Sequence, residues 1–268
     1  MKTINYFISI CLCLCLAACN SNNEPEEEET VIEEPSPELD DEPEEKKPII
    51  PCSDLEWDYP VKPGMPEWAI FTTGAQKWDA CQIPGNILEA LCAKELVKIC
   101  LDFPMFIEFT AVNDERVGTG FMIKNFNGFS ELSKRMDGVL ELMNAYKEYP
   151  VLTQIPEKSS EDYFTPIKLP WIELLLADEA FIKQLNEQES AELEQIVVEK
   201  YVLKVENMHV YSIWSIKQTF LLYAVNVLNY SMTSKTPQQQ ETIRRFIENY
   251  VYADETLLTE MSKIISGL

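Results

Sequence analysis

Cleavage of a glycosidic bond by two carboxylates needs a pair of acidic side chains facing each other across a cleft, and acids are the most abundant reactive residues here, 45 of 268. The run NEQESAELEQ alone supplies Glu187, Glu189, Glu192 and Glu194. Their spacing sets them on the outward side of a helix whose inner side carries Leu193, Ile196 and Val197, which predicts a solvated charged face rather than a catalytic pair. The single histidine, His209, sits in VENMHVYS, a turn between helices. Zinc sites draw on clustered His, Cys and carboxylates, and Ser-His or Cys-His catalysis needs an imidazole oriented by a third group. His209 is therefore expected on the surface or at a cap. There is no Ser-x-x-Lys and no G-x-S-x-G, and VGTGF at 117–121 lacks the setting of a phosphate-binding turn. These absences exclude the corresponding enzyme classes, and no catalytic residue, metal site or cofactor is expected. Composition does not exclude a carboxylate-dependent enzyme acting on glycans, which stands as the alternative to a non-enzymatic module.

Aromatic residues offer binding chemistry instead. Trp57, Trp68 and Trp78 cluster in a proline-rich entry segment, 51–80, where they could present stacking platforms to a ligand or pack over helix ends. Trp171 and Trp214 fall in apolar helical stretches and are expected in the core. In FNGF at 126–129, Asn127-Gly128 reads as a turn that lets Phe126 and Phe129 plug the core. Beyond residue 19 the cysteines are Cys52, Cys81, Cys92 and Cys100. On one helix, Cys92 and Cys100 would be separated by about 12 Å of rise, beyond disulfide reach. Cys52 with Cys81 is the pair left open to bridging, and Cys100, at an apolar helical position, is expected as a buried small hydrophobe.

Apolar residues recur at three and four positions, and the body holds few glycines and no strand-length alternation, so helices must position these groups. Helices are expected at 83–91, 93–102, 128–136, 138–149, 169–177, 178–187, 190–206, 212–229, 237–250 and 255–266. One apolar face joins Leu132, Met136, Val139, Met143 and Tyr146, and another joins Leu257, Met261, Ile264 and Leu268. Thr236-Pro237 with Gln239 forms a start signal, and Asp254 can cap the last helix. The expected fold is all-α, an irregular multi-helix bundle or helical-hairpin stack of about ten helices in two packed halves, 51–149 and 150–268, joined by the proline-spaced connector 150–170.

The N-terminus carries Lys2, an apolar run and the small residues Ala17 and Ala18, the layout of a signal peptide over 1–18. Leu16-Ala17-Ala18-Cys19 resembles a bacterial lipobox, which implies acylation of Cys19 and attachment to a membrane through lipid. A disordered tether is expected over 19–50, with thirteen acids against Lys46 and Lys47 within 20–47. An acidic block so close to a lipidated cysteine resembles the export signal of surface lipoproteins of Bacteroidetes. That resemblance implies the outer membrane and an exterior face, the alternative being a plain periplasmic spacer. The remaining body has 32 acids against 19 bases, which excludes an electrostatic footprint for nucleic acid.

Residues 83–149 resemble a family of uncharacterised secreted and lipidated Bacteroidetes proteins, through Ile83-Pro84, Cys100-Leu101-Asp102-Phe103-Pro104, Lys124-Asn125-Phe126-Asn127-Gly128, and Glu131, Leu132 and Arg135. Cys92 stands where that family has Ser or Thr and, followed by Glu95, still occupies the start of a capping box. As a non-enzymatic binding or scaffolding module the body is expected to meet a glycan or an envelope protein, and the resemblance implies an all-helical envelope protein in an anaerobic habitat that favours free thiols. It transfers no catalytic residue.

Overall fold

LPWIELLLA, residues 169–177, is apolar on every side but for Glu173, and such a helix must lie at the centre of its neighbours. The computed structural model, which describes residues 46–267, places it there. Leu169, Trp171, Ile172, Leu175 and Leu176 are all fully buried. The described residues belong to one compact unit, so the two expected halves share a single core.

Twelve α-helices and no strand occur among the described residues. The N-terminal part holds α1 (Gly74–Cys81), α2 (Gly85–Leu88), α3 (Ala93–Leu101), α4 (Glu115–Asn125), α5 (Asn127–Leu132) and α6 (Gly138–Glu148). The C-terminal part holds α7 (Thr165–Ala177), α8 (Glu179–Ile182), α9 (Glu187–Glu206), α10 (Ile213–Asn226), α11 (Pro237–Glu248) and α12 (Glu255–Ile265). The central α7 packs on α10 and also meets α6 and α4, while α3 lies on α6 and α5. None of these helices is long and apolar enough to cross a membrane.

Caps written in the sequence do set helix starts. Thr236 and Gln239 form a capping box before α11, and Asp254 accepts from the Leu257 N–H at the start of α12. Asn186 with Glu189 starts α9 at residue 187, three residues earlier than expected. Pro166 sits in the first turn of α7, so that helix begins at 165 rather than 169 and continues through Pro170. Two helices were not foreseen. The first, α1, is announced by a Thr73–Gln76 capping box. The second, α4, is capped by Asp114 and contains two glycines, which weaken its propensity.

Two further expectations are corrected. The helix expected over 128–136 starts at Asn127, so Asn127-Gly128 is a helix start and not a turn, and it stops at Leu132, leaving Met136 59% exposed instead of aligned with Val139 and Met143. The cause is the incoming chain: Lys47 N–H donates to Lys134 O and Met136 N–H to Lys47 O, which pulls 133–137 out of helical register. The tether expected over 19–50 is likewise shorter at its C-terminal end. Lys46 donates to Ser133 O at 2.7 Å and Lys47 to Glu131 at 2.6 Å, because these two bases meet an acceptor surface that the preceding acids would not. The signal peptide, Cys19 and the rest of the acidic block lie outside the described residues.

Candidate functional site

The deepest polar group is closed to any ligand. Lys204 Nζ donates to both oxygens of Glu173 at 2.8 and 2.7 Å and to Thr219 Oγ1 at 3.0 Å, and Tyr146 Oη donates to Glu173 at 2.8 Å. Lys204 and Glu173 are fully buried. Burial pushes the ammonium of Lys204 downward while Glu173 opposes that shift. Every donor of Lys204 already has an acceptor, so this network joins α6, α7, α9 and α10 and leaves no valence for chemistry. Three of the four α9 glutamates singled out above are also engaged, Glu192 with Lys147 at 2.9 Å, Glu194 with Lys235 at 2.9 Å and Glu189 in its own cap, and Glu187 is exposed. His209 is exposed, with Nε2 2.9 Å from Thr153 O, a turn-bracing contact as expected. Among the described residues no group of His, Cys, Asp or Glu could hold a metal.

The three entry-segment tryptophans part company. Each is half-buried and packs against the core. Trp78, on α1, lies between Phe103 at 5.1 Å and Phe121 at 5.6 Å. Trp68 stacks edge-on with Phe71 and takes Lys77 over its ring at 5.8 Å. Trp57 lines a cleft of about 400 Å³. Trp171 is fully buried as expected, whereas Trp214 is only half-buried, its indole N–H donating to Glu115 at 2.6 Å.

The cleft is formed where the extended entry segment passes over α3. The entry segment contributes Glu56, Trp57, Asp58, Tyr59 and Lys62; α3 and its C-cap contribute Glu95, Lys98, Ile99 and Asp102. Two anchors hold the walls together. Tyr59 packs edge-on against Trp57 at 4.9 Å and donates to Ile99 O at 2.9 Å. Cys52 is bridged to Cys92 at the N-cap of α3, with Cα atoms 4.9 Å apart. This corrects the Cys52–Cys81 pairing left open by the sequence: Cys81, at the end of α1, and Cys100 are free and fully buried, while the entry segment runs past the start of α3. The same bridge explains why Cys92 makes no side-chain cap.

Two acids of the cleft are held by lysines. Lys62 donates to Asp58 at 2.5 Å and holds its carboxyl below the ordinary carboxylate range. Lys168 binds Asp102 at 2.8 Å. A general acid for glycoside cleavage needs a raised pKa, and the opposite holds at Asp58. Sequence reasoning singled out Trp57 but missed its companions. DLEWDYP carried the local signal, acids flanking an aromatic, whereas Glu95, Lys98 and Asp102 lie more than thirty positions away and enter only through the packing of α3.

Compared with protein-family models, characterised proteins and solved structures, the chain finds no match.

Proposed function

We propose that this is a non-enzymatic envelope lipoprotein, of the Bacteroidetes type suggested by residues 83–149, anchored through an acylated Cys19 at the outer membrane and facing the exterior. Its helical body acts as a binding module, and its ligand, a glycan or an envelope protein, occupies the Trp57 cleft. Support for the location comes from the sequence of residues 1–45. The observation that carries the binding reading is the cleft itself, an aromatic wall beside two carboxylates, Asp58 and Asp102, bound by lysine partners. Asp58, held below the ordinary carboxylate range by Lys62, is suited to accept hydrogen bonds rather than to donate a proton.

The test compares Trp57→Ala, Trp68→Ala and Trp78→Ala in the mature chain, screened against purified envelope polysaccharides and envelope proteins with denaturation midpoints measured alongside. Trp57→Ala should weaken binding about five-fold, the equivalent of about 1 kcal/mol, and Trp78→Ala should lower the midpoint without touching affinity. Binding indifferent to Trp57→Ala would remove the cleft from the function. Turnover of a glycan, abolished by Glu95→Gln or Asp102→Asn, would establish the carboxylate-dependent enzyme in its place.

A further inference from the structure

We infer that the Trp57 cleft continues across α3 into the trough between α3 and α6, and that the two together bind an uncharged, hydroxyl-rich chain, a neutral oligosaccharide longer than one sugar. This rests on the binding reading above and names its ligand. The trough, about 650 Å³, shares Lys98 and Asp102 with the 400 Å³ cleft, so the two depressions flank one ridge of α3.

The groups facing this joint groove divide into those with partners and those without. Asp58 is taken by Lys62 and Asp102 by Lys168. No ion pair or side-chain hydrogen bond joins Glu56, Glu95, Lys98, Lys94, Glu141 or Glu148 to any described residue, and Lys98 reaches Asp58 only through its field. In the trough, Lys94 and Lys98 on the α3 wall face Glu141 and Glu148 on α6 across a floor that includes Val97, Leu101, Ala145 and Tyr149. Opposite charges that do not close on one another leave a lane with polar edges and an apolar base.

The order of those charges selects the occupant. From the entry segment across α3 to α6 the free groups run negative at Glu56 and Glu95, positive at Lys98 and Lys94, then negative at Glu141 and Glu148. A polyanion would be repelled at both flanks and a polycation at the ridge. Hydroxyl groups both donate and accept, so a neutral sugar chain can satisfy carboxylates and ammoniums in any order while its C–H faces cover Trp57 and the Leu101–Tyr149 floor. Spanning an α-helix about 10–12 Å across requires a chain rather than a single ring.

The experiment uses the full mature chain with neutral gluco-, manno- and xylo-oligosaccharides graded from one to six units, and uronic-acid oligomers of the same lengths, read by calorimetry. Affinity should rise with length in at least one neutral series and be at least ten-fold weaker for the charged counterpart. Lys94→Ala with Glu141→Ala should remove the gain from length without changing the affinity of the shortest binder, and Trp57→Ala should weaken every length. Length-independent binding that Trp57→Ala still weakens would overturn the joint groove and leave the cleft standing. Binding of an envelope protein but of no oligosaccharide, again weakened by Trp57→Ala, would overturn the ligand class alone. Failure of every oligosaccharide to bind overturns the inference, and any binding untouched by Trp57→Ala overturns both it and the reading beneath it.

Discussion

Glu173 is the fully buried charge of α7, and Lys204 on α9 is what makes it tolerable. Taking an ion from water costs several kcal/mol, recovered only when the partner and the remaining hydrogen bonds are in place. Lys204→Met should therefore cost about 3–5 kcal/mol in chemical denaturation. Adding Glu173→Gln, which removes the stranded charge and keeps an acceptor for Tyr146, should restore part of that loss; a double variant no more stable than the single would contradict the account. Asp114 supplies a pH signature. Its hydrogen bond to Arg116 holds the carboxyl below the ordinary value. A carboxyl lowered in the folded state contributes stability that is complete above its unfolded value of about 3.9 and drains away as pH falls through the folded value. Asp114→Asn should accordingly flatten the decline in stability below about pH 4. An acid limb identical to that of the parent chain would show that Asp114 plays no part in it.

At the scale of elements, α4 illustrates how a local signal is overruled. Its two glycines argue against a helix, yet one of them is required by packing. A Cβ on Gly118 would lie 2.5 Å from Phe109 O and 3.0 Å from Phe109 Cα, backbone atoms that cannot yield cheaply. Gly120 has only Asp178 Oδ2 at 3.7 Å, an ordinary contact. Gly118→Ala should destabilise by about 1–3 kcal/mol through overpacking, and Gly120→Ala should stabilise by about 0.5–1 kcal/mol by improving helix propensity. Equal effects in urea melts would refute the packing argument. The N-terminal caps of α11 and α12 were legible because a cap is completed within four residues. The end of α5 was not, since it depends on Lys47, which is remote in sequence.

For the whole molecule, the Cys52–Cys92 bridge ties the entry segment to the helical body across 40 residues. Closing a loop of that length is worth roughly 4 kcal/mol in the chain-entropy account, so Cys52→Ala with Cys92→Ala should lower stability by that order while circular dichroism at low denaturant keeps its helical signature. Full helicity with an unchanged midpoint would mean that the entry segment is held by its hydrogen bonds and aromatic contacts without the bridge. Anchoring is a separate matter: Cys19→Ser should release the protein from washed membranes without altering its melting, and retention after a high-salt wash would reject lipid as the anchor.

The sequence by itself determined the helical class, most helix starts, the burial of Trp171, Phe126, Phe129 and Cys100, and the exposed position of His209, because apolar spacing and caps act over a few residues. Tertiary structure alone decided that Lys204 meets Glu173, that Cys52 meets Cys92 and not Cys81, and that Trp57 borders a cleft. Each of those pairings joins residues far apart in the chain, and their partners are chosen by how helices stack, since local periodicity specifies which face of a helix is buried and not what lies against it.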